Sequence, residues 1–416
     1  MNNNTYSQKR RYIKELWDRA ESTLRFIYGD MPPLPILERF YSEKRALYNT
    51  DAVILWNVLC NVSCEALERD CNTRIIGTGG SFLCAYLLGA LLDNPLPLHY
   101  YCSSCKSIEF IDGKETLPFD MKRKACACGG VMLPDGFDLS YETNTGSATH
   151  VTLLVSPSFI DDAKAIAVEG LREYYRVGEL SDGDGQKRLV LLPRDGGDDF
   201  ADSITEKDKY DEYPSLTLKP HETFDLCERV ARMTDSDFYE VYSSISADYL
   251  SDKRVISALA REVSFDARRV GGVASQTASV MYPSESAYEI MKLYGALHGT
   301  GTWRANAELL VSGGVRLSDI PTTRDDVFTL LRDRLGDREI GIAAELTDRI
   351  WRGELDANSR LLLDTLELPT WFTDYVERIK YMAPKSFVVS TLREALAVKW
   401  FSLRYPEEFQ RALNDE

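Results

Sequence analysis

Asn94-Pro95-Leu96-Pro97-Leu98-His99-Tyr100-Tyr101-Cys102-Ser103-Ser104-Cys105 opens the stretch on which the reading of this chain turns, and Cys126-Ala127-Cys128-Gly129-Gly130 lies near its end. Two close thiolate pairs on turns can set four sulfurs tetrahedrally around one zinc ion. Cys102, Cys105, Cys126 and Cys128 are therefore the expected ligands of a structural zinc, with no position left for water. Glycine after the last ligand lets the backbone turn back toward the metal. The second pair has one intervening residue where zinc ribbons usually have two, so its hairpin has to be tighter. The competing reading is two unmetallated pairs in a surface loop. Metal is preferred because short polar segments seldom order without such a staple.

The sequence changes character on both sides of this ribbon, which is placed at 99–139. Residues 1–98 read as mostly helical. Residues 8–28 are amphipathic, Asp30-Met31-Pro32-Pro33 breaks the pattern, and Leu34 to Tyr48 makes another helix with Ile36, Phe40 and Leu47 on one side. An apolar stretch runs from Ala52 to Cys64. Arg74-Ile75-Ile76 is a short strand signal, followed by the tight turn Gly77-Thr78-Gly79-Gly80-Ser81 and an apolar helix from Phe82 to Leu92. In 140–220, His150 to Val155 reads as a strand, Ile160 to Tyr175 as a helix and Arg188 to Leu192 as a second strand. The acidic, glycine-rich pieces Ser181–Gly185 and Asp195–Asp202 read as loops, and the polar stretch 203–215 as a linker. From His221 to the end the pattern is almost wholly helical.

The chain has 416 residues, 44% hydrophobic and 27% charged, a composition that favours two or three domains with their own cores. It has no apolar run of membrane-spanning length, and its start, MNNNTYSQKRRYIKELW, does not read as a signal peptide. A cytoplasmic protein is expected. The nine cysteines are an odd, scattered set, which argues for reduced thiols; those outside the ribbon sit among apolar neighbours and are expected to be buried. With 49 basic and 65 acidic residues the formal net charge is −16. Affinity for duplex DNA comes largely from neutralising phosphates, so the global field opposes it and only a local patch around Lys380, Lys385, Arg393 and Lys399 offers cations.

Taken in order, these features resemble PolC-type DNA polymerase III alpha subunits. Tyr28-Gly29-Asp30 with Leu34-Pro35 is similar to the approach to the family's palm, and Gly77 to Phe82 stands where it has a Gly- and Ser-rich loop. Asn94 to Cys102 is very like the lead into its zinc ribbon, and Asp135-Gly136-Phe137-Asp138 with Tyr141-Glu142-Thr143 resembles the exit. Leu297-His298-Gly299-Thr300 with Trp303, Arg324-Asp325-Asp326, Ile379-Lys380-Tyr381-Met382 with Pro384-Lys385, and Arg404-Tyr405-Pro406 follow in the order of its fingers. The match is patchy but runs from about 25 to 412, and 94–105 and 379–385 are its most specific pieces. The resemblance implies an α+β fold: a reduced C-family polymerase palm, an inserted four-cysteine zinc ribbon and an all-helical fingers domain. The divisions are 1–98, 99–139, 140–220 and 221–416. It implies a remnant without the family's PHP, exonuclease and C-terminal DNA- and clamp-binding modules.

The resemblance also supplies a chemical test. Nucleotidyl transfer needs metal ions bridging the attacking hydroxyl and the phosphates. The family holds them with an Asp-x-Asp pair on one palm strand and a third Asp on its neighbour. Here His150 to Val155 has no carboxylate, and Ser215-Leu216-Thr217-Leu218 puts Thr217 in the third aspartate's place. Hydroxyl and aliphatic groups cannot hold two divalent ions. The glycine loop Gly77, Thr78, Gly79, Gly80 and Ser81 fits an anion nest before a helix, but it is shorter than the family's and lacks its arginine; phosphate binding and a plain turn both stay open. Lys380 and Lys385 match the family's nucleotide-binding stretch, although Ser386-Phe387 replaces its histidine; the alternative is that they are solvated lysines near a helix start.

The expectation is thus a PolC relative without polymerase activity, a binding or regulatory component of DNA replication or repair. Its expected partners are replisome proteins or a companion polymerase fragment, with weak binding of DNA or nucleotide. The alternatives are a nucleotidyltransferase whose metal ligands, and magnesium with them, have moved to Asp198, Asp199 or Asp202, and a protein-interaction scaffold without nucleotide.

Overall fold

The alternation of Val151, Leu153 and Val155 becomes one face of a central β-strand. The computed structural model describes residues 3–48, 50, 52–111, 115–141, 150–181, 187–192, 214–243, 249–261 and 286–414. Three helices lead: α1 (Asn3–Tyr28), α2 (Leu34–Leu47) and α3 (Ala52–Glu68). Ala52 through Leu59 are all buried, as expected of a helix enclosed on every side. β1 (Thr73–Ile76) and the five-residue α4 (Leu83–Leu87) follow.

The ribbon contains β2 (His99–Cys102), β3 (Ile108–Phe110), β4 (Lys124–Ala125) and β5 (Val131–Asp135), an antiparallel sheet in the order β3-β2-β5-β4. Its neck is zipped shut. Phe137, Asp138 and Leu139 donate backbone N–H groups to the carbonyls of Asn94, Leu96 and Pro95 at 2.9, 2.9 and 3.0 Å. Gly136 makes this approach possible: at φ +92° a Cβ would lie 2.3 Å from the Pro97 carbonyl oxygen. Asn94 Nδ2 donates to Asp135 and to the Tyr28 hydroxyl, each at 2.7 Å, which ties the neck to α1.

The larger sheet adds β6 (His150–Val155), β7 (Arg176–Ser181), β8 (Lys187–Leu192) and β9 (Ser215–Pro220), with α5 (Ile160–Arg172) between β6 and β7. The order is β1-β6-β9-β8-β7, with β6 and β9 parallel and the other pairs antiparallel. One face (Ile75, Val151, Leu153, Val155, Leu189, Leu191, Leu216, Leu218) shares a core with α1 to α5. Each such fully buried side chain contributes roughly 1.5–3 kcal/mol. The opposite face carries Arg74, Ile76, Thr152, Leu154 and Thr217, and Leu154 belongs to a second core built by the C-terminal helices.

Those helices are α6 (Glu222–Thr234), α7 (Phe238–Ser243), α8 (Lys253–Arg261), α9 (Ala287–His298), α10 (Glu308–Ser312), α11 (Arg324–Leu335), α12 (Ile340–Arg352), α13 (Ala357–Thr365), α14 (Phe372–Glu377), α15 (Lys385–Arg404) and α16 (Pro406–Asn414). α15 runs through the middle, with Val388, Val389, Leu392, Leu396 and Phe401 fully buried.

Three expectations change. The helix read as Phe82–Leu92 ends at Leu87, because Gly89 takes a left-handed φ of +85° and Ala90 N–H returns to the Ala85 carbonyl at 2.9 Å, a glycine C-cap. β7 was not anticipated; its alternation is blurred by Gly178 at an edge of the sheet. Cys64 is exposed and Cys60 half-buried, one turn apart on α3, whereas Cys71, Cys84 and Cys227 are buried as expected. The loop Asp195–Asp202, most of the linker 203–215, and Glu142 and Thr143 lie outside the described residues.

Candidate functional site

Two tight turns hold the four ribbon cysteines. Lys106 (φ +61°) lets its N–H reach the Cys102 carbonyl at 2.8 Å, and Gly129 (φ +88°) lets its N–H reach the Cys126 carbonyl at 3.0 Å. The sulfurs of Cys102 and Cys128 stand 3.7 Å apart, those of Cys105 and Cys126 3.6 Å, and all four lie within 4.8 Å of one another. A zinc–sulfur distance of about 2.3 Å requires a tetrahedral sulfur–sulfur edge of about 3.8 Å. The donor set therefore fits, and the cluster could hold a metal ion such as zinc. The Ser107 hydroxyl, 3.1 Å from the Cys105 sulfur, draws that thiol down to about 6, toward the thiolate a metal needs.

The glycine turn and the start of α15 are brought together. Ser386 Oγ donates to the Gly77 carbonyl at 2.9 Å, and a Cβ on Gly80 would sit 3.0 Å from the Ser386 Cβ. The amides at the start of α4, however, are already satisfied. Glu43, 2% exposed, accepts from Leu83 and Cys84 N–H through its two oxygens, each at 3.0 Å. Arg39 pairs with Glu43 at 2.6 Å and donates to the carbonyls of Ser81 and Leu139. An internal carboxylate thus stands where an anion would approach the helix. This buried pair left no sequence signal beyond one Glu inside an amphipathic helix.

Lys385 is half-buried, its Nζ 3.3 Å from the Asp138 carbonyl and its N–H on Asp325. Asp325, 1% exposed, also accepts from Ser140 and Tyr141 N–H at 3.1 Å and so joins the ribbon exit to the helices. Lys380 stays exposed on a separate turn, where its N–H meets the Thr300 carbonyl. The proposed cation patch is corrected: Arg393 is fully buried, its guanidinium on Asp93 at 2.7 and 2.9 Å, and Lys399 is 8% exposed.

On the face of the sheet toward the C-terminal helices, Ile76, Thr152, Thr217 and Arg188 stand in one row across β1, β6, β9 and β8. Thr217 is 6% exposed, and the described residues of this face include no carboxylate. Among the described residues, α15 brings an acid to Arg74 on this face. Glu394 contacts Arg74 at 2.7 Å, a charge contact rather than an aligned hydrogen bond, and accepts from His221 Nε2 at 2.7 Å. Burial alone would raise its carboxyl, but Arg74 and His221 outweigh that and hold it at about 2. His298, edge-on to Phe387, is pushed down to about 4 by burial and by Arg74, and is neutral at pH 7. Asp198, Asp199 and Asp202 lie outside the described residues. No helix of the described residues is long and apolar enough to cross a membrane.

These features define an α+β protein with a four-cysteine ribbon and a sheet locked to a buried central helix. No family model matches the chain. It is similar to the DNA polymerase III PolC-type of Thermotoga petrophila, 23% identical over 468 residues that cover 93% of this chain and 33% of that protein. It is likewise 23% identical to that of Caldanaerobacter subterraneus and 22% identical to that of Ureaplasma parvum, over 92% and 95% of this chain and 32% of each relative. The chain is a divergent relative of PolC-type DNA polymerase III, and it spans about a third of the length of the curated relatives it matches.

Proposed function

We propose that this chain is a non-polymerising PolC relative that serves as a binding or regulatory component in DNA replication or repair. In this reading the five-stranded sheet is a reduced palm, residues 99–139 are a ribbon held by a structural zinc, and the helices from His221 are the fingers. The observation that carries it is the row Ile76, Thr152, Thr217 and Arg188. Two metal ions a few ångströms apart need several carboxylate ligands at the point of reaction. Here that row offers hydroxyls, an alkyl group and a cation, and Glu394, which reaches this face from α15, is engaged by Arg74 and His221.

The net charge of −16 and the burial of Arg393 favour protein partners over duplex DNA. Replisome proteins or a companion polymerase fragment, in the cytoplasm, are the partners this reading assigns. Nucleotide contact at Gly77–Ser81, Lys380 and Lys385 is opposed by Glu43, which already fills the helix start, and by the different surroundings of the two lysines. The test is a manganese titration followed by electron paramagnetic resonance, with dATP and a primer–template present. The free-ion signal should match that of nucleotide and DNA without protein; a protein-dependent pair of tightly held ions would overturn the proposal.

A further inference from the structure

Away from the ribbon and beside one end of the sheet, the end of α6 makes an acidic ridge. Asp235 stops the helix with a left-handed φ of +51° and turns the chain toward Asp237, whose carboxylate caps α7 by accepting Glu240 N–H at 3.2 Å. A cavity of about 500 Å3 on one side of the ridge is walled by Tyr249, Trp400 and Tyr405. The Trp400 ring stands at 89° to Tyr249 and 76° to Tyr405, with centroids 5.2 and 5.9 Å away. These edge-to-face rings line a box that already has one cation of its own, Arg404, 6.0 Å from the Tyr405 ring centroid, and aromatic faces attract cations. Tyr249 donates its hydroxyl to Glu240 at 3.1 Å, which fixes a carboxylate at the rim.

A second cavity, also about 500 Å3, shares Asp235, Ser236 and Asp237 and extends to Asp70, Asn72 and Glu228. Asn72 is 4% exposed; its Nδ2 donates to Glu228 at 2.7 Å, but its Oδ1 has no partner. Asn72 is thus a cavity-lining residue with a buried acceptor that no protein donor among the described residues satisfies. Across both linings, five carboxyls (Asp70, Glu228, Asp235, Asp237, Glu240) face two bases, Arg232 and Arg404.

We propose that this ridge docks a basic segment of a partner protein, one lysine or arginine side chain entering the aromatic box and another entering the Asn72 cavity. Phosphate-bearing ligands are repelled by the carboxylates. A bare metal ion gains nothing from three aromatic walls and is far smaller than either cavity. Two pockets on either side of one ridge suit successive cationic side chains on a single chain, and the overall charge of −16 brings such a segment in. This inference does not depend on whether the sheet supports catalysis.

The test is fluorescence anisotropy of a short labelled arginine–glycine repeat peptide against the full chain at physiological ionic strength. The triple variant D235N/D237N/E240Q keeps the left-handed turn, the α7 cap and the Tyr249 hydrogen bond. It should weaken binding about tenfold or more, the change that roughly 1.4 kcal/mol produces. Neutralising three exposed acids elsewhere, D337N/E339Q/E354Q, alters net charge equally and should change it less than about threefold. Tyr249→Leu, with helicity confirmed by circular dichroism, should also weaken binding. Equal loss in both triple variants, no effect of Tyr249→Leu, or no binding to the wild-type chain would overturn the proposal. Displacement by spermine at concentrations matching the peptide's would also overturn it, by reassigning the site to free polyamines.

Discussion

Replacing Glu394 with glutamine removes a charge and almost no volume, so it isolates the electrostatic role of the contact between α15 and the sheet. The Glu394 carboxyl, 4.5 in water, is held at about 2 despite its burial. That difference corresponds to about 3 kcal/mol of extra stability for the folded chain at neutral pH. Its sign follows from the depressed value: the stabilisation is complete above pH 4.5 and fades as pH falls toward 2. A second route gives a similar figure, because Arg74, 9% exposed, would be left as an unpaired buried charge, which costs about 3–5 kcal/mol. Urea denaturation followed by circular dichroism should therefore show Glu394→Gln destabilised by about 3 kcal/mol at pH 7 and by only about 1.5 kcal/mol at pH 3. Adding Arg74→Met should restore part of the loss at pH 7. A cost that is the same at both pH values, or a double variant weaker than the single, would refute the electrostatic reasoning.

Three further outcomes are expected. Glu43→Ala strips acceptors from the Leu83 and Cys84 amides and strands Arg39, so it should cost about 2–4 kcal/mol and speed amide exchange first at residues 83–87. Cys105→Ser should release the metal from protein purified without chelator, as read by elemental analysis, and loosen residues 99–138 while leaving the sheet's exchange unchanged. Duplex DNA should bind weakly and with affinity falling as salt rises, since Lys380 and Lys385 are what remains of the expected patch; nanomolar binding at physiological salt would contradict this.

The parts of this molecule that were legible in the sequence are those whose signal is local. Cysteine spacing announced the ribbon, and the Asn94–Cys102 and Asp135–Asp138 stretches marked its two ends because those ends pair with each other. The β-branched and aliphatic run from His150 to Val155 announced a strand because such side chains fit a pleated, buried surface. What stayed hidden joins residues far apart: Arg393 and Asp93 are 300 residues apart, and His221 and Glu394 173 apart. A buried arginine and a solvated one look identical in sequence, which is why Arg393 and Lys399 were read as a surface patch. The Glu43 cap was hidden in the same way, as one acidic residue in a helix whose neighbours alternate ordinarily. The glycine turn illustrates the limit from the other side: its residues are those of an anion nest, and only the fold shows that the adjoining amides already have a carboxylate.

Primer extension tests the central claim most directly. With a primer–template, all four deoxynucleotides and either magnesium or manganese, the purified chain should add no nucleotide above background. Thr217→Asp should stay inactive as well, because one carboxylate on that row cannot hold two ions at fixed separation. Incorporation that follows the protein through purification would contradict the account and direct attention to Asp198, Asp199 and Asp202.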